Sequence, residues 1–258
     1  MFIDSHCHLS FPELQSQLPH ILAEMKAAQV EQAICICTTM EDFPNVSRLA
    51  DEHPHLWATV GVHPDNEDVH EPDVNELVQG AKHPKVVAIG ETGLDYYRLN
   101  GRSIEQMEWQ RERFRVHIRA ALLAAKPLVI HTRSSAADTL RLLDEMGGEK
   151  AGGVFHCFTE SAEVALAAVE RGFYISFSGI LTFKNAQSLR DVAKLLPLER
   201  LLIETDSPYL APAPYRGRLN SPAYVPHVAA ALAEVKGCSL AELAAQTSAN
   251  CRQLFGLN

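Results

Sequence analysis

Two histidines one residue apart, His6 and His8 in FIDSHCHLS, stand in the first apolar run of the chain. On a β-strand, residues i and i+2 project to the same side. A strand over residues 1–8 would therefore set Asp4, His6 and His8 on one face. Imidazoles at that spacing suit a divalent cation, and they suit an ordinary surface strand as well, so the pair alone decides nothing. Similar residues recur at the ends of later apolar runs: His63 in TVGVHP, Glu91 in AIGETGLDY, His131 in LVIHTR and His156 in VFHCF. Glu204 and Asp206 in LLIETDSP repeat the two-residue spacing with carboxylates. Each residue singly has a bland explanation, as a packing histidine or as a carboxylate that caps a helix or pairs with an arginine.

What joins them is the pattern of elements. Apolar, β-branched-rich runs occupy residues 1–8, 33–38, 56–63, 85–90, 127–132, 153–158, 173–178 and 200–204. They read as near-continuous hydrophobic stretches, as strands covered on both faces do. Helical periodicity fills the gaps at residues 21–29, 46–53, 74–81, 104–125, 135–146, 162–171 and 186–195, and two more helices follow the last strand, at 222–236 and 240–255. Strands alternating with helices imply βα units and a parallel sheet. Eight such units in 258 residues are the count and size of a (β/α)8 TIM barrel, an α/β fold in a single domain over residues 1–258. A doubly wound open sheet is the alternative, but no Gly-x-Gly-x-x-Gly turn follows the first strand.

A barrel of this kind places its chemistry at the C-terminal ends of its strands. His6, His8, His63, His131 and His156, five of the twelve histidines, fall there with Glu91, Glu204 and Asp206. Polar side chains converging from several strands are costly to desolvate without a partner, and a cation supplies one. His6, His8, Glu91, His131, His156 and Asp206 are six candidate ligands, too many for one four-coordinate zinc. Glu91 can give one oxygen to each of two cations. Two cations about 3.5–4 Å apart can hold a nucleophilic water and stabilise both the attacking and the leaving oxygen in phosphoryl transfer. Imidazole-rich ligation favours zinc, manganese or iron over magnesium.

Basic residues near the strand ends point to an anionic substrate. Arg133 lies two past His131, on the same strand face, and arginine binds phosphate oxygens bidentately. Lys184, Arg216 and Arg218 follow the seventh and eighth strands, where barrels often hold phosphate. Solvated loop charges explain those three equally well.

The bulk properties bound the partners. The net charge of −9 argues against a protein that coats nucleic acid through a basic surface, but not against an enzyme that grips a polyanion at one metal-bearing site. No apolar run approaches the ~18 residues of a membrane span, and the N-terminus has no signal-peptide pattern, so a cytoplasmic protein is expected. The six cysteines form no CxxC pair and read as reduced thiols, mostly small buried hydrophobes.

The motifs FIDSHCHL, VGVHP, GETGLDYY, PLVIHTR, FHCF, SFSGILTFK, LLIETDSPYLAP and YRGRLNSP, in this order over nearly the whole chain, resemble the TatD family of metal-dependent deoxyribonucleases. That family is a branch of the amidohydrolase-like TIM barrels. The resemblance implies hydrolysis of DNA phosphodiester bonds by a water activated at two divalent metal ions (zinc, manganese or magnesium), as a 3′→5′ exonuclease in some members. It implies that His6, His8 and Asp206 hold one metal, that Glu91 bridges, and that His131 and His156 hold the second. Glu91 and Asp206 would be the catalytic pair, Asp206 orienting the water or accepting its proton. His63 and Arg133 would contact substrate, with Lys184 and Arg216 as further candidates, and Glu204 would order ligands from behind. The implied partner is DNA, single-stranded or at 3′ ends, with no membrane and no obligate protein partner.

Two departures from the family pattern bear on substrate preference: Ser10 replaces an acid or amide after HxHL, and Ser134 and Ser135 replace an acidic residue and alanine after HxR. The competing functions are an amidohydrolase-type hydrolase of a small molecule, one acting on an ester of tRNA, and a non-catalytic metal-binding protein. Amidohydrolase barrels often bridge their metals with a carboxylated lysine, and strand four ends in Glu91 with no lysine beside it.

Overall fold

The eight apolar runs form eight parallel strands in the computed structural model, which describes residues 1–257. They are β1 (Phe2–Cys7), β2 (Val30–Cys35), β3 (Leu56–Val60), β4 (Val86–Asp95), β5 (Leu128–Arg133), β6 (Gly153–Phe155), β7 (Tyr174–Phe177) and β8 (Leu201–Ile203). The helices are α1 (Pro12–Gln15), α2 (Leu18–Ala27), α3 (Phe43–Glu52), α4 (Val74–Ala81), α5 (Glu108–Ala124), α6 (Ala136–Met146), α7 (Ala162–Glu170), α8 (Gln187–Leu195), α9 (Val225–Lys236) and α10 (Leu240–Phe255). Each strand pairs with its sequence neighbour, in the order β1 to β8. That sequential order is a barrel's and rules out the doubly wound sheet.

The ring closes between β1 and β8 near the end of β1. His8 N–H donates to Ser207 O at 2.8 Å, and Asp206 N–H donates to His6 O at 2.9 Å. These bonds put His6, His8 and Asp206, almost 200 residues apart in sequence, on one seam. Near the strand starts a separate apolar cluster, including Ile3, Ile34, Val87, Val129, Val154, Tyr174 and Leu202, fills the barrel. Cys251, Phe255 and Leu257, from α10 and just beyond it, belong to the same cluster. Filling this end leaves the opposite mouth as the place for polar chemistry. Helix starts are set by local chemistry: Asp73 and Glu76 form a reciprocal capping box on α4, and Ser161 and Ser239 cap α7 and α10.

Several strands stop earlier than their apolar runs suggest, β2 among them at Cys35. β3 ends at Val60, β6 at Phe155 and β8 at Ile203, so His63, His156, Glu204 and Asp206 sit on the connections that follow. β4 does the reverse and continues to Asp95, which carries Glu91 inside a strand. Its register against β5 shifts between Ile89 and Thr92. Such an irregularity re-aims a side chain, and the Glu91 N–H reaches Cys37 O at 2.9 Å.

Strict alternation along β1 would group Asp4 with His6 and His8. The β1–β2 register is irregular between Asp4 and Cys7, and Asp4 takes a different partner. Its carboxyl accepts from Thr205 N–H at 2.9 Å and from the Thr205 hydroxyl at 2.5 Å. Burial raises its pKa to about 8. Asp4 therefore ties β1 to the segment after β8 instead of joining the histidines.

Candidate metal centre

Glu91 is the hub of the mouth and is almost wholly buried. Its two oxygens face different histidines. Oε2 lies 3.3 Å from His6 Nε2 and 4.0 Å from His8 Nε2. Oε1 lies 2.8 Å from His156 Nε2, 3.2 Å from His131 Nδ1 and 3.3 Å from His63 Nε2. Asp206 Oδ1 joins the first set at 3.3 Å from His8 and 3.6 Å from His6. His156 also stacks on His6, with ring centroids 3.8 Å apart.

The donor spacings fit cations. Nitrogens and oxygens held at about 2.0–2.2 Å by one tetrahedral ion lie roughly 3.3–3.6 Å from each other. The Nε2 atoms of His6 and His8 are 3.3 Å apart, within that range. His6 Nδ1 and His8 Nδ1 are buried without a hydrogen-bond partner. Three groups of donors are close enough for one ion each: His6, His8 and Glu91; His6, His156 and Asp206; and His63, Glu91 and His131. Sequence reasoning assigns His63 to substrate, yet its imidazole lies as close to Glu91 as those of the expected ligands.

The electrostatics agree. Burial works against charge on Glu91, but His156, His63 and His6 together hold its pKa well below the usual value. Burial likewise disfavours a charged His156, and Glu91 and Glu204 outweigh it and raise its pKa well above normal. The pocket thus draws in positive charge.

Carboxylates stand behind the ligands. Asp95 Oδ2 accepts from His131 Nε2–H at 3.0 Å, leaving Nδ1 toward Glu91. Glu204 Oε1 faces His156 Nδ1 at 3.3 Å and accepts from Cys157 N–H at 2.8 Å, leaving Nε2 toward Glu91. A carboxylate on the far nitrogen fixes the tautomer of a ligating imidazole and raises its basicity. Glu204 is expected in this role, whereas Asp95 is missed by sequence reasoning. Its period of two with Glu91 and Gly93 emerges only once β4 is carried past residue 90 to Asp95.

His117, on α5, is fully buried. Its Nδ1–H donates to Arg113 O at 2.8 Å and its Nε2 accepts from Val62 N–H at 3.0 Å. Arg113 donates to His63 O at 2.7 Å and to Asn66 O at 2.8 Å. Helix α5 thereby holds the loop that presents His63.

The mouth is a cavity of about 540 Å³ whose lining includes His8, His63, Glu91, His131, Arg133, His156 and Asp206. Arg133 lies 3.3 Å from Asp95 and 4.2 Å from the Tyr97 ring centroid, and its Nη2 is covered without a hydrogen-bond partner. Lys184 and Arg216 are not among the lining residues, and Arg216 packs over the Phe183 ring. The serines at the departures from the family pattern make internal bonds: Ser10 donates to Asp42 at 2.7 Å and Ser135 to Leu94 O at 2.7 Å. Three non-glycine residues at strand ends, Ser134, Cys157 and Asp206, adopt positive φ, a conformation that tends to gather at functional sites. All six cysteines are free thiols, four of them buried. Among the described residues no helix is long and apolar enough to cross a membrane.

Comparison with known proteins gives a consistent picture. A family model described as TatD related DNase matches residues 3–256. The chain is 43% identical over 260 residues to the metal-dependent hydrolase YcfH of Escherichia coli strain K12, covering 99% of this chain and 96% of the relative. It is 36% identical over 243 residues to the 3′-5′ ssDNA/RNA exonuclease TatD of Citrobacter rodentium, covering 92% and 91%. Among solved structures, the TatD homologue YjjV of Escherichia coli K12 superposes with a TM-score of 0.92 at 30% identity, covering 100% of this chain and 98% of that one.

Proposed function

Since the chain belongs to the TatD-related DNase family of metal-dependent hydrolases, we propose that it hydrolyses DNA phosphodiester bonds at a binuclear divalent-metal centre. The observation that carries this reading is the division of labour at Glu91, one oxygen toward His6 and His8 and the other toward His131 and His156. In it, His6, His8, Asp206 and Glu91 hold one cation, and Glu91, His131 and His156 hold the other. When bound, such a pair supplies Lewis acidity and an acidified water for attack at phosphorus.

The chain's own residues do the rest. Burial disfavours a charged Asp206, but its contacts with His8, His6 and His156 keep its pKa below the ordinary carboxylate value. It is therefore ionised at neutral pH, orients the attacking water and accepts its proton. Asp95 and Glu204 lock the imidazoles of His131 and His156 in the orientation that binds. Arg133 brings a fixed cation to the lining of the mouth, where a guanidinium can pair with a phosphate oxygen. His63 stands beside the reacting phosphate. Lys184 and Arg216, away from the cavity, serve at most an extended strand. A protein named as a single-stranded DNA and RNA exonuclease is among the relatives, which supports nucleic acid as the substrate class.

The test is a screen of zinc, manganese and magnesium on single-stranded DNA labelled at the 3′ or the 5′ end, with His131→Ala as control. Metal-dependent release of nucleotides by the wild type, lost in the variant, is expected. DNA left intact under every cation, with turnover of small esters or amides instead, overturns the nuclease reading.

A further inference from the structure

The mouth has two unlike walls. On the β3–β5 side it is polar and charged, with Asp65, Asn66, Arg98 and Arg133. On the β7–β8 side and over β1 it is apolar, formed by Phe11, Ile180, Tyr209 and Leu210. The aromatic part of that wall starts at the metal centre itself. The Phe11 ring stacks on His8 with centroids 4.7 Å apart, and Tyr209 meets Phe11 edge-on at 6.4 Å. Tyr209, three positions from Asp206, nevertheless leaves 56% of its surface exposed.

This wall is also built to stay in place. Tyr209 N–H donates to Asp206 O at 3.0 Å, and the buried Asn220 amide donates to Tyr209 O at 2.6 Å and to Thr205 O at 2.8 Å. Leu210 has a positive φ of 58°, and a Cβ placed on Gly179 would lie 1.9 Å from Leu210 O. The backbone carrying the shelf is therefore clamped from both sides.

A ring shelf beside a cation centre, opposite a guanidinium, matches the two halves of one nucleotide, a flat base and an anionic phosphate. Resting on the nuclease reading above, we infer that the exposed Tyr209 ring, braced edge-on by Phe11, is a stacking shelf for an unpaired nucleobase of the nucleotide whose phosphate is cleaved. Every base has a π-face, so such a shelf is tolerant of sequence. A base still paired and stacked in a duplex has no free face to offer. The shelf thus selects single strands and frayed ends, and it does so without reading sequence.

The experiment uses the full chain with Mn²⁺ and single-stranded oligonucleotides carrying 2-aminopurine at the 3′ end in one and the 5′ end in another, each matched with an abasic counterpart. Binding of the base-bearing strand by the wild type is expected to quench 2-aminopurine fluorescence. Tyr209→Ala is expected to raise KM for that strand by about tenfold and to collapse the preference for base-bearing over abasic ends toward unity. Tyr209→Phe keeps the ring and is expected to retain both, and circular dichroism of each variant reports folding. Unchanged KM in Tyr209→Ala, absent quenching, or equal use of abasic and base-bearing ends by the wild type overturns the shelf while leaving the nuclease reading in place. A wild type that cleaves no DNA at all overturns the nuclease reading instead.

Discussion

Asp95 accepts a hydrogen bond from His131 Nε2–H at 3.0 Å, while the opposite nitrogen of the same ring lies 3.2 Å from Glu91. The same carboxylate stands 3.3 Å from Arg133, so one side chain orients both a metal-ligand candidate and the candidate phosphate contact. Asp95→Asn preserves shape and the bond that Asp95 Oδ1 accepts from Tyr97 N–H at 2.9 Å, but removes the charge that fixes the His131 tautomer. Metal affinity or kcat is expected to fall about 10–100-fold with little change in Tm. Metal titration and steady-state kinetics on one preparation check it, and unchanged affinity with unchanged kcat would reject this role.

Glu91 separates a shared ligand from an independent one. Under the bridging arrangement, Glu91→Gln weakens both cation positions, because both sets of histidines converge on its two oxygens. His8→Ala touches only the set containing His6 and Asp206. Metal content after dialysis should therefore drop further in Glu91→Gln than in His8→Ala. Equal losses in the two variants would argue against a bridge.

Much of this arrangement was legible in the sequence, for a physical reason. Buried parallel strands write themselves as continuous apolar runs, and a polar residue ending such a run stands out. His6, His131 and His156 are conspicuous in that way. Asp95 was not, because β4 runs five residues beyond its apolar stretch and the extension reads as a loop. His117 was hidden for the opposite reason: its partners are the backbone groups of Arg113 and Val62, and backbone partners leave no trace in residue types. Asp4 misled through the irregular register of β1, since a period of two holds only while the pairing is regular. The serines that depart from the family pattern proved to be internal ties at Ser10 and Ser135.

Gly93 tests how tightly β4 must approach β5. Its φ is +128°, and a Cβ there would lie 2.0 Å from His131 O. Gly93→Ala must therefore push the two strands apart as well as strain its own backbone. A loss of at least about 2 kcal/mol is expected from the strain and the clash together, along with weaker metal binding. Gly101, at φ +82° with nothing near its Cβ position, is the control, and Gly101→Ala should cost distinctly less. Urea denaturation of both variants measures the difference, and equal costs would mean that conformation alone, and not contact with His131, governs Gly93.

His117 makes acid stability a measurable property of the loop beneath the site. Burial lowers its pKa from 6.5 to about 4, and its Nε2 must stay unprotonated to accept from Val62 N–H. A histidine with a depressed native pKa contributes stability that is whole above the unfolded value. As pH falls below 6.5 the unfolded chain takes up a proton that the native state refuses, and the loss levels off once pH passes below about 4. Between pH 7.5 and 4.5 this one group should cost roughly 2–3 kcal/mol. Denaturation of chelator-treated protein at the two pH values, compared with His117→Gln, isolates the effect, because the other titrating groups are common to both. The variant should start less stable at pH 7.5 and lose less on acidification. Parallel pH profiles for the two proteins would show that His117 is not the group that charges.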